Sequence, residues 1–532
     1  MKNFASIKLL ILMLIVWAAP TLSAQQSTDT FVPTYKYRVS LTDKKGNPFS
    51  VKHPEKFLSQ KSLDRRARQG LKVDQSDLPV TPAYVERIRQ TGVSVCHTSK
   101  WQNTVVVETS DKEKMEAVKA LPFVKEVRLV ASYTEPRPAD KVDRHSLVKH
   151  TDPDGAHNSG IDTLQTEPEV VLGKVIKKNV RMRYRLQNDT LSRQDITEIE
   201  EVAAENDEQF SYVMELIKQR RASLGETDDA DDPVYGKSGN QIFINHVDAL
   251  HKQGYRGEGM TIAIIDGGFY NADIIPGLSH VKVLGTKDFA EAGGNVFEKQ
   301  NHGMMVLSCI AANTPGKIVG TAPEASFWLL RSEDGDSEQL VEEDNWCAAI
   351  EYADSVGADL VNTSLGYTVF DNTDDNVLYS EQDGSTHLIS RSASMAASKG
   401  MVLCQSAGNE GDNQWKRIGV PADADNILTV GALKPDGTNT LFSSLGMAAD
   451  GRVKPDVCAQ GQDCAVYASN GTVTTANGTS FSSPIMCGMV ACYWQAHPTL
   501  SAFEVVDAVR RLADRFDRPD NVYGFGTPDF SK

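Results

Sequence analysis

Short apolar runs alternate with amphipathic runs through the second half of the chain, and this alternation constrains the fold more than any other feature. Five apolar runs have the pattern of buried strands, at 261–266, 327–331, 360–363, 401–405 and 427–430. Runs with helical spacing are interleaved with them, at 303–312, 340–356, 388–399 and 503–512. Strands that alternate with helices form a parallel sheet with helices on both faces. We therefore predict a doubly wound α/β fold for this half.

A serine stands at the start of an apolar helix near the end of the chain. Residues 477–484 have the sequence NGTSFSSP, and the apolar run 485–494 follows them. The free N–H groups and positive field of a helix N-terminus favour an alkoxide or oxyanion near Ser480. Pro484 is expected in the first turn of this helix, where its missing N–H costs nothing. On its own, the motif is equally typical of a serine helix cap.

Three further polar residues lie at the ends of predicted elements. Asp266 ends the first predicted strand, His302 precedes the first predicted helix, and Asn409 follows the fourth predicted strand. Open α/β sheets bind their ligands at the carboxyl ends of the strands. The order aspartate, histidine, serine is one of three known for the serine triad. Taken singly, Asp266 and Asn409 are also typical of turns, and His302 of a helix start.

Four motifs in this order together resemble those of the subtilisin-like serine peptidases (subtilases). They are 265–268 (IDGG), 301–303 (NHG), 407–411 (AGNEG) and 478–484 (GTSFSSP). The resemblance covers about 235–530, and the segment 343–346 (EDNW) makes it closest in character to the secreted subtilases of Bacteroidetes-type bacteria. It implies a subtilisin-like doubly wound parallel sheet and serine endopeptidase activity.

The resemblance also implies a role for each motif residue. Ser480 is the nucleophile, His302 the general base and acid, and Asp266 the residue that orients the imidazole. Asn409 and the N–H of Ser480 would hold the oxyanion. An extended substrate would lie between two backbone walls that carry no acid, with room for an apolar or large side chain at the cleavage position. The walls are Ser364, Leu365 and Gly366 on one side and Ser406, Ala407 and Gly408 on the other.

Two classes of function stay open at this point. The first is an active endopeptidase that forms an acyl-enzyme on Ser480 and is made as an autoprocessed zymogen. The second is a catalytically silent subtilase-fold module that grips an extended peptide. A lipase-like α/β-hydrolase is disfavoured because Ser480 is not in a G-x-S-x-G elbow and the triad order differs. Proteins or peptides are the expected partners in either class.

Residues 1–24 have the pattern of a signal peptide. Lys2 and Lys8 give a basic start, 9–19 is a short apolar core, and 22–24 (LSA) fits a signal-peptidase site. We expect export to the periplasm or the extracellular space. No later stretch is long and apolar enough to span a membrane. The formal net charge of -16 argues against a nucleic-acid partner.

Residues 25–135 are predicted to form a small α+β domain before the doubly wound half. Its strand-like and helix-like runs follow the order β-α-β-β-α-β of a ferredoxin-like fold, at 35–42, 82–91, 93–98, 104–108, 112–121 and 124–130. The domain resembles the subtilase prosegment, which chaperones folding and then inhibits. An accessory domain that is never removed is the alternative.

Charge supports the prosegment interpretation. Residues 25–135 carry 19 Lys and Arg against 13 Asp and Glu, whereas the chain as a whole is acidic. A basic inhibitor is complementary to an acidic catalytic domain. The run 59–71, which contains Arg65, Arg66 and Arg68, interrupts the ferredoxin-like pattern and is predicted to be an exposed basic helix.

Residues 136–232 form an insert or linker between the prosegment and a catalytic domain at 233–532. The insert begins with three prolines at 136, 138 and 153, and ends in an acidic run at 226–232. A short strand is predicted at 179–186 and a helix at 192–224. Three roles are open for this insert, namely a solvated tether cut during activation, a maturation linker or spacer, and a docking element.

The eight cysteines and the acidic loops leave cofactor questions open. Four cysteines in apolar runs are predicted to pack as small hydrophobic residues, namely Cys309, Cys404, Cys487 and Cys492. Cys458 and Cys464 are either free or joined in a small-loop disulfide. No spacing suggests zinc, and no cofactor is required. Calcium is common in subtilases, so the acidic loop 371–375 is a candidate site, with solvated surface as the alternative.

Overall fold

The computed structural model describes residues 31–135 and 232–532. The predicted signal peptide, the predicted strand at 179–186 and the predicted helix at 192–224 lie outside the described residues. Within the described ranges, no helix combines the length and the apolar character needed to cross a membrane.

The N-terminal domain is a four-stranded antiparallel sheet with helices. Its elements are β1 (Thr34–Leu41), α1 (Gln60–Arg68), α2 (Pro82–Arg89), β2 (Ser94–Ser99), β3 (Thr104–Thr109), α3 (Lys114–Lys119) and β4 (Val124–Tyr133). The strand order is β2-β3-β1-β4. Setting α1 aside, this is the predicted β-α-β-β-α-β arrangement. Apolar residues from the strands, α2 and α3 form its core, with Val39, Ile88 and Val105 fully buried.

The C-terminal domain is built on a seven-stranded sheet in which every strand pair is parallel. Its elements up to the middle of the sheet are α4 (Gly239–Phe243), α5 (Asp248–Lys252), β5 (Thr261–Asp266), β6 (Lys282–Asp288), α6 (His302–Ala311), β7 (Asn313–Thr314), β8 (Ile318–Val319), β9 (Ser326–Arg331), α7 (Val341–Val356) and β10 (Leu360–Thr363). The remaining elements are α8 (Leu388–Ser398), β11 (Val402–Ser406), β12 (Leu428–Leu433), β13 (Val457–Gln460), β14 (Cys464–Tyr467), β15 (Val473–Ala476), α9 (Thr479–Ala496) and α10 (Ala502–Leu512).

The central strand β5 shows why the sheet needs helices on both faces. Its residues are all buried, and successive side chains point to opposite sides of the sheet. Ile262 and Ile264 join the core under α6 and α9, whereas Ala263 and Ile265 join the core under α7 and α8. The sheet order β13-β12-β11-β10-β5-β9-β6 places β5 and β10 side by side. The predicted doubly wound sheet is therefore confirmed.

The strands that escaped prediction include β6, β13, β14 and β15. The edge strand β6 exposes its only two large apolar residues, Val283 and Leu284, to solvent. Strand β13 has only four residues, and β14 pairs with the half-exposed β15 in a separate two-stranded sheet. Periodicity alone identifies buried central strands better than edges or hairpins.

The predicted exposed basic helix at 59–71 is wrong in its exposure, although the helix α1 is present. Arg65 is 0% exposed and Arg66 is 1% exposed. Both donate to Asp354 Oδ1 of α7, at 2.6 and 2.7 Å, and Lys100 donates to Asp354 Oδ2 at 2.9 Å. A local pattern of charges indicates solvent, but here the compensating acid lies almost 300 residues away on the other domain.

All eight cysteines are free thiols, so the Cys458–Cys464 disulfide is not formed. Cys464 Sγ instead donates to the Gln460 carbonyl at 3.4 Å, and Cys458 Sγ contacts the Tyr523 carbonyl at 3.5 Å. The four cysteines of the apolar runs are all buried, as predicted.

Candidate active site

Asp266 and His302 meet where β5 ends and α6 begins. His302 Nδ1 lies 2.8 Å from Asp266 Oδ1 and 3.1 Å from Oδ2. Asp266 is fully buried, and its Oδ1 also accepts the N–H of Gly267 at 2.8 Å. Gly303 allows this approach of helix to strand, since a Cβ there would lie 2.9 Å from Asp266 Cβ. The pair fixes the imidazole with Nε2 turned away from the carboxylate.

The charge of Asp266 controls the protonation of His302. Burial lowers the pKa of His302, but the charge and hydrogen bond of Asp266 outweigh it, and the charge of Glu333 adds to their effect. The pKa of His302 therefore lies above its ordinary value. The imidazole side chain stays 30% exposed, so it is accessible from the cleft.

Ser480 lies in the first turn of α9, and the predicted place of Pro484 is corrected by the structure. The helix begins at Thr479, so Pro484 falls in the second turn and inside the helix. A residue at 484 would normally donate its N–H to the Ser480 carbonyl, and proline has none. Ser364 Oγ donates to that carbonyl instead, at 2.8 Å. A hydroxyl from β10's end thus replaces the missing helical bond.

A buried polar chain continues from this contact. Asn362 Nδ2 donates to Ser364 Oγ at 3.2 Å, and Ser483 Oγ donates to Asn362 Oδ1 at 2.9 Å. Ser480 Oγ itself donates to the Ser364 carbonyl at 3.3 Å, a bond that must break before the hydroxyl can donate to His302. The end of β10 and the start of α9 are therefore locked together around the serine.

Two N–H donors flank one space beside Gly478. Asn409 Oδ1 accepts the N–H of Thr479 at 2.9 Å and its hydroxyl at 3.0 Å, so Asn409 Nδ2 is turned to the other side. A Cβ on Gly478 would lie 3.5 Å from Asn409 Nδ2 and 3.6 Å from the Ser480 nitrogen. Gly478 has φ of 144°, a conformation that favours glycine. This arrangement can hold an oxygen that carries negative charge.

The two predicted substrate walls lie on either side of this serine. Ser364 contacts Ser480, and the Gly408 N–H donates to Thr479 Oγ1 at 3.1 Å. Leu365 and Gly366 line a cavity together with Asp266 and His302. The side chains of the next two wall residues are buried, since Ala407 packs inward with Ile418 and Ala422 and Ser406 is buried in β11. Backbone, rather than the Ala407 side chain, therefore faces the cleft.

An acidic cluster beside the cleft escaped sequence analysis. Glu333, Glu338 and Glu342 each place a carboxylate oxygen within 4.8 Å of the others. They lie in the loop after β9 and at the start of α7. The sequence feature that could have revealed the cluster is the acidic run 332–344 (SEDGDSEQLVEED). It follows strand β9, whose carboxyl end lies at the same edge of the sheet as Asp266. The acidic loop 371–375, the predicted calcium candidate, has two of its carboxylates engaged by protein groups. Asp375 pairs with Arg128 at 2.5 Å, and Asp371 Oδ2 accepts the Glu338 N–H.

Comparison with known proteins agrees with the fold and the motifs. Residues 257–526 match the family model described as Subtilase family, and residues 36–145 match the model described as Peptidase S8 propeptide domain, Bacteroidota. The chain belongs to the subtilase family. It is therefore a subtilisin-like serine endopeptidase by family, with a propeptide domain before its peptidase domain.

The relatives are similar over the C-terminal half. Subtilisin DY from Bacillus licheniformis is 31% identical over 272 residues, which is 50% of this chain and 87% of the relative. Serine protease AprX from Bacillus subtilis (strain 168) is 27% identical over 302 residues, which is 51% of this chain and 65% of the relative. The crystal structure of MycP1 from Mycobacterium smegmatis aligns at 20% identity and a TM-score of 0.44, covering 57% of this chain and 85% of MycP1.

Proposed function

We propose that this subtilase is an exported, active endopeptidase, made as a zymogen that processes itself, with Asp266, His302 and Ser480 as its triad. The observation that carries the proposal is the bond between Asp266 and His302 in a cavity that Ser364 also lines, since the Ser364 hydroxyl contacts the Ser480 carbonyl. A peptide-binding module that had lost catalysis would have no need to keep Asn409 turned toward the space beside Gly478.

The residues act in a fixed order in this proposal. Ser480 Oγ attacks the scissile carbonyl carbon and gives its proton to His302 Nε2, while Asp266 stabilises the imidazolium. The oxyanion accepts N–H bonds from Ser480 and Asn409 Nδ2. His302 then protonates the leaving amine, and an acyl-enzyme remains on Ser480. Water repeats the attack with His302 as base, which releases the acid and restores the serine.

The propeptide domain is proposed to act as an intramolecular inhibitor. Its strand β4 passes the loop before α7, where the Ser132 N–H donates to Gln339 Oε1 at 2.7 Å. Tyr133 and Glu135 lie at the mouth of a large groove that shares Gln300 and Gly335 with the cavity beside the triad. The chain leaving β4 therefore starts next to the cleft. Export rests on the signal-peptide pattern, and structural calcium stays a prediction.

The direct test is to express the chain from Gln25, as wild type and as Ser480→Ala, and to follow its N-terminus by mass spectrometry. Self-trimming by the wild type alone supports an autoprocessing serine peptidase, and the new N-terminus gives the prosegment boundary. If both proteins stay intact and neither cleaves unfolded protein, the silent binding module becomes the better account.

A further inference from the structure

A small cavity opens beside the triad and is lined by acids. Its volume is about 350 Å³, and Asp266 and His302 form one of its sides. The opposite side is the loop that follows β9, from Glu333 to Glu338, and the backbone of 364–366 closes the third. No lysine or arginine belongs to this lining in the described part of the chain. The cavity thus presents several carboxylates with His302 as its sole potential cation.

One of the neighbouring acids is buried with an oxygen that has no partner. Glu342 is 1% exposed, and its Oε1 accepts the Asp334 N–H at 2.8 Å. Its Oε2 has no hydrogen-bond partner within the described residues. This carboxylate stands within 4.8 Å of those of Glu333 and Glu338. Carboxylates this close repel one another unless a proton or a cation lies between them. A proton on Glu342, whose pKa is raised to about 11, relieves part of this repulsion, and a bound cation would relieve the rest.

The path of an extended substrate brings one side chain to this cavity. Successive side chains of an extended strand point to opposite sides. If the residue at the cleavage position points between 364–366 and 406–408, the residue before it points the other way. That direction leads to His302 and the cavity lined by Glu333 and Glu338. The residue immediately N-terminal to the cleavage residue is therefore the one whose side chain meets the acids.

We propose that this cavity is a subsite for a lysine or arginine side chain of the substrate residue that immediately precedes the cleavage residue, with Glu338 and Glu333 as its counter-charges. The proposal rests on the proposed peptidase function. Both glutamates are specificity-determining residues, since they contact the substrate side chain and take no part in the proton transfers. A basic side chain there neutralises the cluster without any change in the triad.

Burial and neighbouring carboxylates make the charge of the two glutamates dependent on pH near neutrality. Burial, with the charges of Glu338 and Asp266, raises the pKa of Glu333 to about 8. Burial, with the charge of Asp371, raises the pKa of Glu338 to about 7. The charged or titratable groups that face the pair from the surrounding elements are Asp266, His302, Asp334, Glu342, Tyr367 and Asp371. Since protonated glutamates attract a cation weakly, preference for a basic residue should increase from about pH 6 to about pH 9.

The experiment compares two peptide substrates that differ at one position. Arginine and citrulline have nearly the same shape, but only arginine is charged. We expect the processed wild-type enzyme to cleave the arginine peptide with at least about tenfold higher kcat/KM. Glu338→Gln should reduce that ratio to nearly one, mainly by lowering kcat/KM for the arginine peptide. Glu258→Gln, which changes an exposed glutamate before β5, is the matched control and should keep the wild-type ratio.

Every other outcome contradicts the proposed subsite. Equal rates for the two peptides in the wild type reject it whatever the variants do, and so does an unchanged preference in Glu338→Gln. The cluster is a metal site if three results come together. The wild type binds Ca²⁺ or Mg²⁺ tightly, Glu338→Gln binds that ion more weakly, and the wild type shows no preference for the arginine peptide. Reaction of Ser480 with a fluorophosphonate distinguishes failure of the proposed subsite from failure of the proposed peptidase function. Labelling without preference rejects only the subsite, whereas an unreactive enzyme that cleaves neither peptide rejects the proposed function together with it.

Discussion

At the residue scale, Pro484 explains why the wall residue Ser364 matters to the nucleophile. Proline deprives the Ser480 carbonyl of its helical donor, and the Ser364 hydroxyl supplies a substitute at 2.8 Å. A buried carbonyl left without a donor costs about 1–3 kcal/mol. The proline and the serine are therefore a coupled pair that sets the position of Ser480.

This coupling predicts a rescue. Ser364→Ala should lower kcat by about tenfold or more with little change in KM, because the Ser480 backbone loses its anchor. Adding Pro484→Ala returns an N–H to the Ser480 carbonyl, so the double variant should regain much of the lost kcat. Steady-state kinetics on a small ester substrate measures kcat and KM for the single and the double variant. A double variant as slow as Ser364→Ala or slower would contradict the coupling.

A second prediction concerns the space beside Gly478. Gly478→Ala places a methyl group between Asn409 Nδ2 and the Ser480 nitrogen and strains a backbone with φ of 144°. We expect kcat to fall by about 100-fold or more, the scale known for one oxyanion donor in subtilisin, a relative. Gly437→Ala is the control, since Gly437 also has positive φ but faces open space. Similar kinetics for the two variants would argue against an oxyanion site at this place.

The pH profile tests the charges around His302. Its raised pKa places the acidic limb of kcat/KM above pH 6.5, with activity lost as the pH falls and the imidazole becomes protonated. Glu333, whose pKa is raised to about 8, is mostly protonated along this limb, so Glu333→Gln should move the limb only slightly. The profile is measured with a substrate that carries no basic residue. A wild-type limb below pH 6.5 would contradict the raised pKa of His302.

Sequence analysis identified the proposed triad residues because each belongs to a local motif, but it did not identify all the residues that hold them in place. Asn362 and Thr479 act through bonds to residues 121 and 70 positions away. The acidic cluster was missed for a related reason, because a run of acidic residues in a loop ordinarily indicates solvated surface. Only the fold shows that three of those side chains converge.

At the element scale, α7 serves both domains. Its N-terminal turn carries Glu342 of the acidic cluster, and further along Asp344 forms two bonds with Arg38 of β1, at 2.6 and 2.7 Å. Near its end, Asp354 binds Arg65, Arg66 and Lys100. Burial raises the pKa of Asp354, but these three cations outweigh it and hold the pKa far below its usual range. The helix was predictable from periodicity, whereas its buried charges depend on the other domain.

The buried charges predict how tightly the prosegment is held. In a Ser480→Ala background, Asp354→Asn leaves buried Arg65 without its paired acid and leaves Arg66 with Asp77 alone, so prosegment affinity should fall by about 30-fold or more. Binding is measured after an added protease cuts between residues 136 and 231. Asp375→Asn, which removes the more exposed pair with Arg128, should change affinity much less. Equal effects of the two substitutions would contradict a buried ionic lock.

At the scale of the whole molecule, the charge asymmetry seen in the sequence becomes a physical interface. The basic prosegment contacts the acidic face of α7, and its apolar residues Trp101, Val106 and Val130 join the core of the peptidase domain. Composition predicted the attraction between the basic prosegment and the acidic peptidase domain. It did not predict that the ion pairs between them are buried, since net charge carries no information about which residues pair. The parallel sheet with helices on both faces followed from the alternation of elements together with the family resemblance, whereas the order of its strands was not predicted.

The reactivity of Ser480 tests the central claim most directly. The chain from Gln25 is treated with a fluorophosphonate before and after proteolytic removal of residues 25–135, and the adduct is mapped by mass spectrometry. We predict one adduct, on Ser480, that forms faster after removal and disappears in His302→Ala. An adduct on another serine, or none on the freed peptidase domain, would contradict the assignment of Asp266, His302 and Ser480 as a working triad.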